Sequence, residues 1–384
     1  MTTSRTAFST PQLTAALAVG TIAVLMIGLQ PILLGELVEA RRVTLEGVGI
    51  VAMGEIMALG LGVALGDALL PGARLRLITI VAAVLAAGFD ALTLAANGDT
   101  ELLAVRAAAG LAQGVLVWGT TGVIVRSVNP ERLGGVFFVV QTLAQAAVGF
   151  ALANLVLPGA GWRGGFAVLA GTAALIVALA FVQPAQLAPL PPPVVTGFRW
   201  SPRMVAPLVV VFLQLAVVGA FWAYSEPLGK AAGLDARAAQ RLISGVLVMQ
   251  VIGGSLAWVM VRRLGVALVL VVASAVLAIT TGVVHQLPAG QSLPFVIACA
   301  PFGFFWLFML PFQIGLAFRA DPSGRVAGLV PAAQLLGSAF GPLVASFTVH
   351  GEDAAAVPLV SASFAIAAGI LLVVTRPRGA AQRA

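Results

Sequence analysis

Apolar stretches of about twenty residues, the length that carries a helix across the hydrocarbon core of a bilayer, follow one another along nearly the whole of this chain. Only 9% of its 384 residues are charged and 60% are apolar, with a mean hydropathy of +1.06. Soluble domains carry about a quarter charged residues, so a water-soluble globule is excluded. Read from one charged or Pro/Gly break to the next, the chain holds roughly twelve such stretches. Inside lipid each must satisfy its own backbone, and an apolar helix does so. The first stretch, 12–37, is too long for the apolar core of a signal peptide and reads as a retained span. One cysteine, Cys299, leaves no disulfide framework. With His285 and His350 the only histidines, no Cys/His metal cluster can assemble, and no metal or cofactor is expected.

One stretch cannot span. Between the sixth and seventh apolar runs lie Pro184, Pro189 and Pro191-Pro192-Pro193, which remove backbone donors and need water around them. The expected organisation is therefore a six-helix bundle over 1–183, a cytoplasmic linker over 184–203 and a second six-helix bundle over 204–384. Connections alternate between the two sides of the membrane. With the N-terminus inside, 14 of the 21 basic residues fall on the inner side, among them Arg74, Arg76, Arg126, Arg262, Arg263 and Arg319. Most acids, including Glu36, Glu39, Asp99 and Glu226, fall outside. The Lys/Arg bias places both termini in the cytoplasm of a multi-pass inner-membrane protein. The net charge of +7 is scattered rather than gathered into a patch, so nucleic acid is not expected as a partner.

Several short motifs fall in a recurrent order. Gly66-Asp67 and Pro71-Gly72-Ala73-Arg74-Leu75-Arg76 follow the second span, and Gly253-Gly254 with Arg262-Arg263-Leu264-Gly265 occupy the matching place in the second half, where Trp258 stands at the acidic position. Arg106-Ala107-Ala108-Ala109-Gly110 opens the fourth span, and Gly161-Trp162-Arg163 precedes the sixth. Phe221, Tyr224, Pro227 and Gly233-Leu234 mark the end of the seventh, and Gly337-x-x-x-Gly341-Pro342 lies in the eleventh. In this order the motifs resemble the major facilitator superfamily, and the seventh-span motif resembles its bacterial drug- and sugar-efflux-like branch. The fifth span, with Gln141-Thr142-Leu143-Ala144-Gln145, lacks the Gly/Pro pattern of that family's antiporters. The resemblance implies an all-α polytopic fold of twelve transmembrane helices in two pseudo-symmetric bundles. It also implies gate or orientation roles for Asp67, Arg74, Arg76, Arg262 and Arg263. Physically, arginines beside a short loop bind helix C-terminal carbonyls and a loop carboxylate such as Asp67.

Charges inside spans need an explanation. Glu55 lies mid-span in the second run as a lone acid, with no basic residue in its span, where a carboxylate costs about 3 kcal/mol on insertion scales. Two readings stand: a buried hydrogen bond to a neighbouring helix, or a proton-coupling carboxylate. Asp90 in the third span and Arg106 in the fourth lie at similar depth on either side of a short turn, so they can pair. The pair is a static lock or a coupling site. If Asp90 serves to hold Arg106, Asp90→Asn leaves an unpaired buried charge. If instead Arg106 faces the cavity, its forked donors suit an anionic substrate.

Semi-polar stripes at helical spacing mark a candidate cavity wall. They comprise Gln113 and Trp118 in the fourth span, Gln141 and Gln145 in the fifth, Gln214 and Phe221 in the seventh, Phe305, Trp306 and Gln313 in the tenth, and Gln334 in the eleventh. Trp222 and Tyr224 read either as further rings or as interfacial anchors, and Glu226 as solvated. An aromatic and amide lining with few charges suits a small amphipathic organic solute. No P-loop, H-E-x-x-H or nucleophile grouping is present, so no enzyme is expected. The reading is a monomeric secondary transporter, with proton-coupled efflux expected first. Proton-coupled uptake of an organic anion, with Arg106 as its partner, is the alternative.

Overall fold

The computed structural model describes residues 8–189 and 200–375, and its regular elements are helices. Twelve of them carry the architecture. In the first half these are α1 (Thr10–Glu39), α2 (Leu45–Leu69), α3 (Leu75–Leu92), α4 (Asp99–Arg126), α5 (Pro130–Ala151) and α6 (Leu157–Val182). The second half has α7 (Pro202–Ala223), α8 (Ala236–Met260), α9 (Val266–Gln286), α10 (Ser292–Phe308 and Leu310–Ala320), α11 (Val330–Ser346) and α12 (Val357–Val374). A short helix, Ser225–Ala231, continues beyond α7. Pro191-Pro192-Pro193 and both chain ends, on which the expected linker and the expected side of the termini rest, lie outside the described residues.

Among the described residues, nine stretches are long and apolar enough to cross a membrane unaided. One of them, Arg132–Val182, has 51 residues, which as a single rod is more than twice the ~30 Å hydrocarbon core. The chain reverses within it at Gly161, whose φ of 54° is open to glycine and strained for other residues, so α5 and α6 are separate spans. The bent α10, with 42° between its two parts, and the shorter α11 complete the set of twelve. The result is a multi-pass membrane protein.

The two halves pack by one scheme. α2 packs on α4 as α8 packs on α10, and α3 on α6 as α9 on α12. α1 meets α5 as α7 meets α11. Between halves, α2 lies on α11 and α5 on α8, two contacts that a pseudo-twofold axis exchanges. Small residues make these crossings close, as lipid-embedded helices require. A methyl group on Gly110 or Gly114 of α4 would overlap the carbonyls of Glu55 and Leu59 on α2. Gly337 and Gly341 of α11 stand in the same way against Phe212 and Ala216 of α7. The four-residue spacing legible in the sequence is thus a packing face in both bundles.

The halves are joined tightly at one end of the molecule, which we call the closed end. Trp222 donates its indole N–H to the Ile27 carbonyl at 3.0 Å. Ile27 is four residues before Pro31, which has no N–H to offer it, so the carbonyl is free for a partner from the other half. Tyr224 Oη accepts from the Gly49 amide at 3.0 Å, Gln240 Nε2 donates to Glu36 at 2.8 Å, and Lys230 pairs with Glu39. At the opposite, open end a cleft of about 770 Å³ separates α2 and α4 from α11.

Candidate functional site

Three charged side chains meet inside the first bundle. Arg106 on α4 donates Nη1 to Asp90 Oδ1 on α3 at 2.6 Å, and Nη2 to Glu55 Oε1 on α2. Thr93 Oγ1 lies 3.4 Å from the same Nη1, and the guanidinium stands 5.4 Å from the centre of the Phe166 ring, within cation–π range. Arg106 is fully buried, and Glu55 and Asp90 are nearly so. The sequence explains the meeting. Gly110 lets α4 touch the backbone of α2 beside Glu55, and the short turn from α3 to α4 sets Asp90 and Arg106 at one depth. Gln30 of α1 stands beside Glu55, whose Oε2 takes no hydrogen bond of its own.

The charge count is the chemical content of this cluster. Two carboxylates share one guanidinium, and among the described residues no other basic side chain pairs with either acid. Fully ionised, the cluster carries one net negative charge in a buried site, where an uncompensated charge costs several kcal/mol. One bound proton makes it neutral.

Three expectations are corrected. Glu55 is not a lone carboxylate, because the α2–α4 crossing brings it to Arg106. Arg106 is not turned toward a cavity, because both terminal nitrogens of its fork are engaged by protein oxygens. Asp90 is not the sole partner of Arg106, so Asp90→Asn would leave the guanidinium paired with Glu55.

The expected cavity wall is dispersed. Of its ten residues only Trp118 lines the open-end cleft, beside Asp67, Arg126, Met57, Leu61 and Leu335. Gln145 of α5 donates at 2.7 Å to the carbonyl of Val24, where α1 breaks, and packs against Gly28. Gln214, Gln313 and Gln334 form a chain: Gln334 donates to Gln313 at 2.9 Å, Gln313 to Gln214 at 3.0 Å, and Gln214 to Ser274 Oγ at 3.0 Å. Phe221 is buried against Phe302 and Phe295. Phe305 and Trp306 are half-buried, with Trp306 edge-on to Trp222 at 5.1 Å. Gln113 is buried with its Oε1 unpartnered, and Gln141 is half-buried.

Among the expected gate residues, Arg76 binds helix-end carbonyls, those of Ala180 at 3.2 Å and Phe181 at 3.4 Å. The carboxylate half of that expectation does not form: Asp67 is exposed in the cleft and pairs with neither Arg74 nor Arg76. Arg74, Arg262 and Arg263 are exposed. Sequence reasoning missed the closed-end contacts of Trp222, Glu226 and Lys230. Glu226 is buried, not solvated. One signal was available: Pro31 announces a free carbonyl at Ile27.

No family profile and no curated protein matches the sequence. Solved structures do match the fold. The nucleoside transporter NupG has a TM-score of 0.71 at 13% identity, over 95% of this chain and 98% of its own. A D-xylose-proton symporter gives 0.70 at 15%, over 94% and 97%. A bacterial homologue of the human lysosomal transporter Spinster, in an inward-facing and unoccupied conformation, gives 0.64 at 12%, over 96% of each chain. These neighbours are transporters, not enzymes. At such identities the likeness establishes architecture: the chain has the twelve-helix major facilitator fold.

Proposed function

We propose that this protein is a secondary transporter that moves a small amphipathic organic solute across the inner membrane by alternating access, coupled to protons. The observation that carries the reading is the buried Glu55–Arg106–Asp90 cluster, two acids on one base, which is neutral only with a proton bound. A buried ionisable group at membrane depth is retained at a cost, and proton relays are one of the functions that justify it. The closed and open ends supply the second element, two halves that meet at one face and part at the other. The cleft wall is mostly apolar, with Asp67 and Arg126 among its lining residues, which suits a solute that is apolar over most of its surface.

In this reading residues 1–183 and 204–384 are the rocking bundles, 184–203 is their cytoplasmic linker, and the cleft faces the cytoplasm with both termini. Efflux by exchange with protons is the direction we favour, because the open cleft receives solute from the side the basic residues mark as inner. The protein acts as a monomer. The test is transport of a compound panel into and out of proteoliposomes under imposed pH gradients of both signs. Expected is accumulation of at least one amphipathic compound that reverses with the sign of the gradient. Flux of no compound, or flux indifferent to the gradient, would overturn the coupled reading.

A further inference from the structure

We infer that Glu226, at the closed end, is a second proton-binding site, and that a proton held there keeps the two halves together on that face. The inference rests on the alternating-access reading but not on the Glu55 cluster. Glu226 belongs to the short helix Ser225–Ala231 beyond α7 and is buried although it is charged. It crosses the boundary between the halves. Its carboxylate lies over Gly35 of α1, where a methyl group would overlap Oε2. Its Oε1 stands 2.5 Å from Lys230 Nζ, close enough to pair but outside hydrogen-bond geometry, and takes no other hydrogen bond.

The surrounding charges are unbalanced. α1 contributes Glu36 and Glu39, and the short helix contributes Glu226 and Lys230, the only lysine of the chain. Three carboxylates therefore surround one ammonium. α8 adds the uncharged Gln240, bound to Glu36, while its Arg241 is bound to its own helix at the Arg237 carbonyl. α10 adds Phe295, which faces Gly229. Arg42 is turned away to the carbonyls of Ala95 and Ala96. Among the described residues no other cation pairs with these carboxylates, and one proton on Glu226 halves the excess negative charge.

Burial pushes Glu226 up to about 7 from an ordinary value of 4.5, Lys230 opposing and Glu39 and Glu36 reinforcing the shift. When the halves part at this end the carboxylate leaves Gly35 and meets water, where its ordinary value returns. The proton therefore binds the closed form more tightly. The stabilisation this gives closure is complete below the ordinary value and is lost as pH rises through about 7. Between those values the closed-to-open ratio falls about tenfold per pH unit.

The test uses pairs of spin labels in the full-length Cys299→Ala protein, reconstituted in lipid nanodiscs, with distances measured from pH 5 to 8.5. One pair, at the exposed Arg163 and Arg237, spans the closed end; another, at the exposed Ala73 and Arg319, spans the open end. Expected is a short closed-end distance at low pH that gives way to a longer one as pH rises from the ordinary value of 4.5 through about 7, the open-end pair changing reciprocally. Glu226→Gln mimics the protonated acid and should hold the short distance at every pH. Gly35→Ala displaces the carboxylate without changing charge and should favour the long distance at every pH, which keeps the inference testable if the first variant folds poorly. A parent distance independent of pH, or an unchanged pH midpoint in Glu226→Gln, would overturn the inference. If neither pair changes under any condition, alternating access itself fails, a separate outcome.

Discussion

Removing Arg106 should damage this protein far more than removing either of its acidic partners. In Arg106→Met two buried carboxylates lose their only cation. Breaking a buried pair in this way costs about 3–5 kcal/mol, because the remaining charge has neither water nor partner. Glu55→Gln and Asp90→Asn are different. Each leaves one carboxylate on one guanidinium, a balanced pair, and the new amide oxygen still accepts the Arg106 N–H, so each should cost about 1 kcal/mol. Combining the two leaves Arg106 unpaired and should return the cost to about 3–5 kcal/mol. The double variant therefore exceeds the sum of its parts by roughly 2 kcal/mol, as expected of residues sharing one network. Thermal melts in detergent, followed by helical circular dichroism, measure the series. The single amides should melt within about 4 °C of the parent, and Arg106→Met and the double amide roughly 10 °C below it. If Asp90→Asn falls as far as Arg106→Met, Glu55 does not share the guanidinium and the charge argument is wrong.

Other contacts give independent predictions. Trp222→Phe keeps ring packing against Trp306 but removes the donor to the Ile27 carbonyl; loss of about 1 kcal/mol should raise the closed-end open population roughly fivefold, read as a longer distance between labels at Arg163 and Arg237. In Pro31→Ala the helix can satisfy Ile27 itself, so the same Trp222→Phe change should then shift that distance much less; an equal shift in both backgrounds would deny the latch. Gln313→Leu strands Gln214 Oε1 and a Gln334 N–H, at about 1–3 kcal/mol for each group left unsatisfied, so its melting temperature should fall by several degrees, and no fall would mean the amide chain is not closed in the membrane protein.

The architecture was largely legible in the sequence because bilayer physics leaves few choices. Apolar length and paired glycines lead to twelve helices and close crossings, and equal depth on either side of a short turn is enough to pair Asp90 with Arg106. Glu55 joins them through the lateral packing of α2 on α4, and Gly110 and Gly114 advertise a close neighbour without saying which helix it is. The amides show the same limit. A glutamine stripe marks polarity facing inward, but Gln145 goes to the Val24 carbonyl and Gln214 to Ser274, because broken helices and neighbouring spans offer acceptors before any solute does. Glu226 lies at a helix end where water is the natural expectation. Only the notch at Gly35, on a helix nearly two hundred residues earlier, puts it under cover.

Glu55→Gln in proteoliposomes decides whether the buried triad binds the coupling proton. The measurement compares solute movement driven by an imposed pH gradient with solute exchange at equal pH. The variant should fold, exchange solute at a rate comparable to the parent, and no longer concentrate or expel it in response to the gradient. Gradient-driven transport of undiminished extent and unchanged pH dependence in Glu55→Gln would contradict a coupling role for the triad.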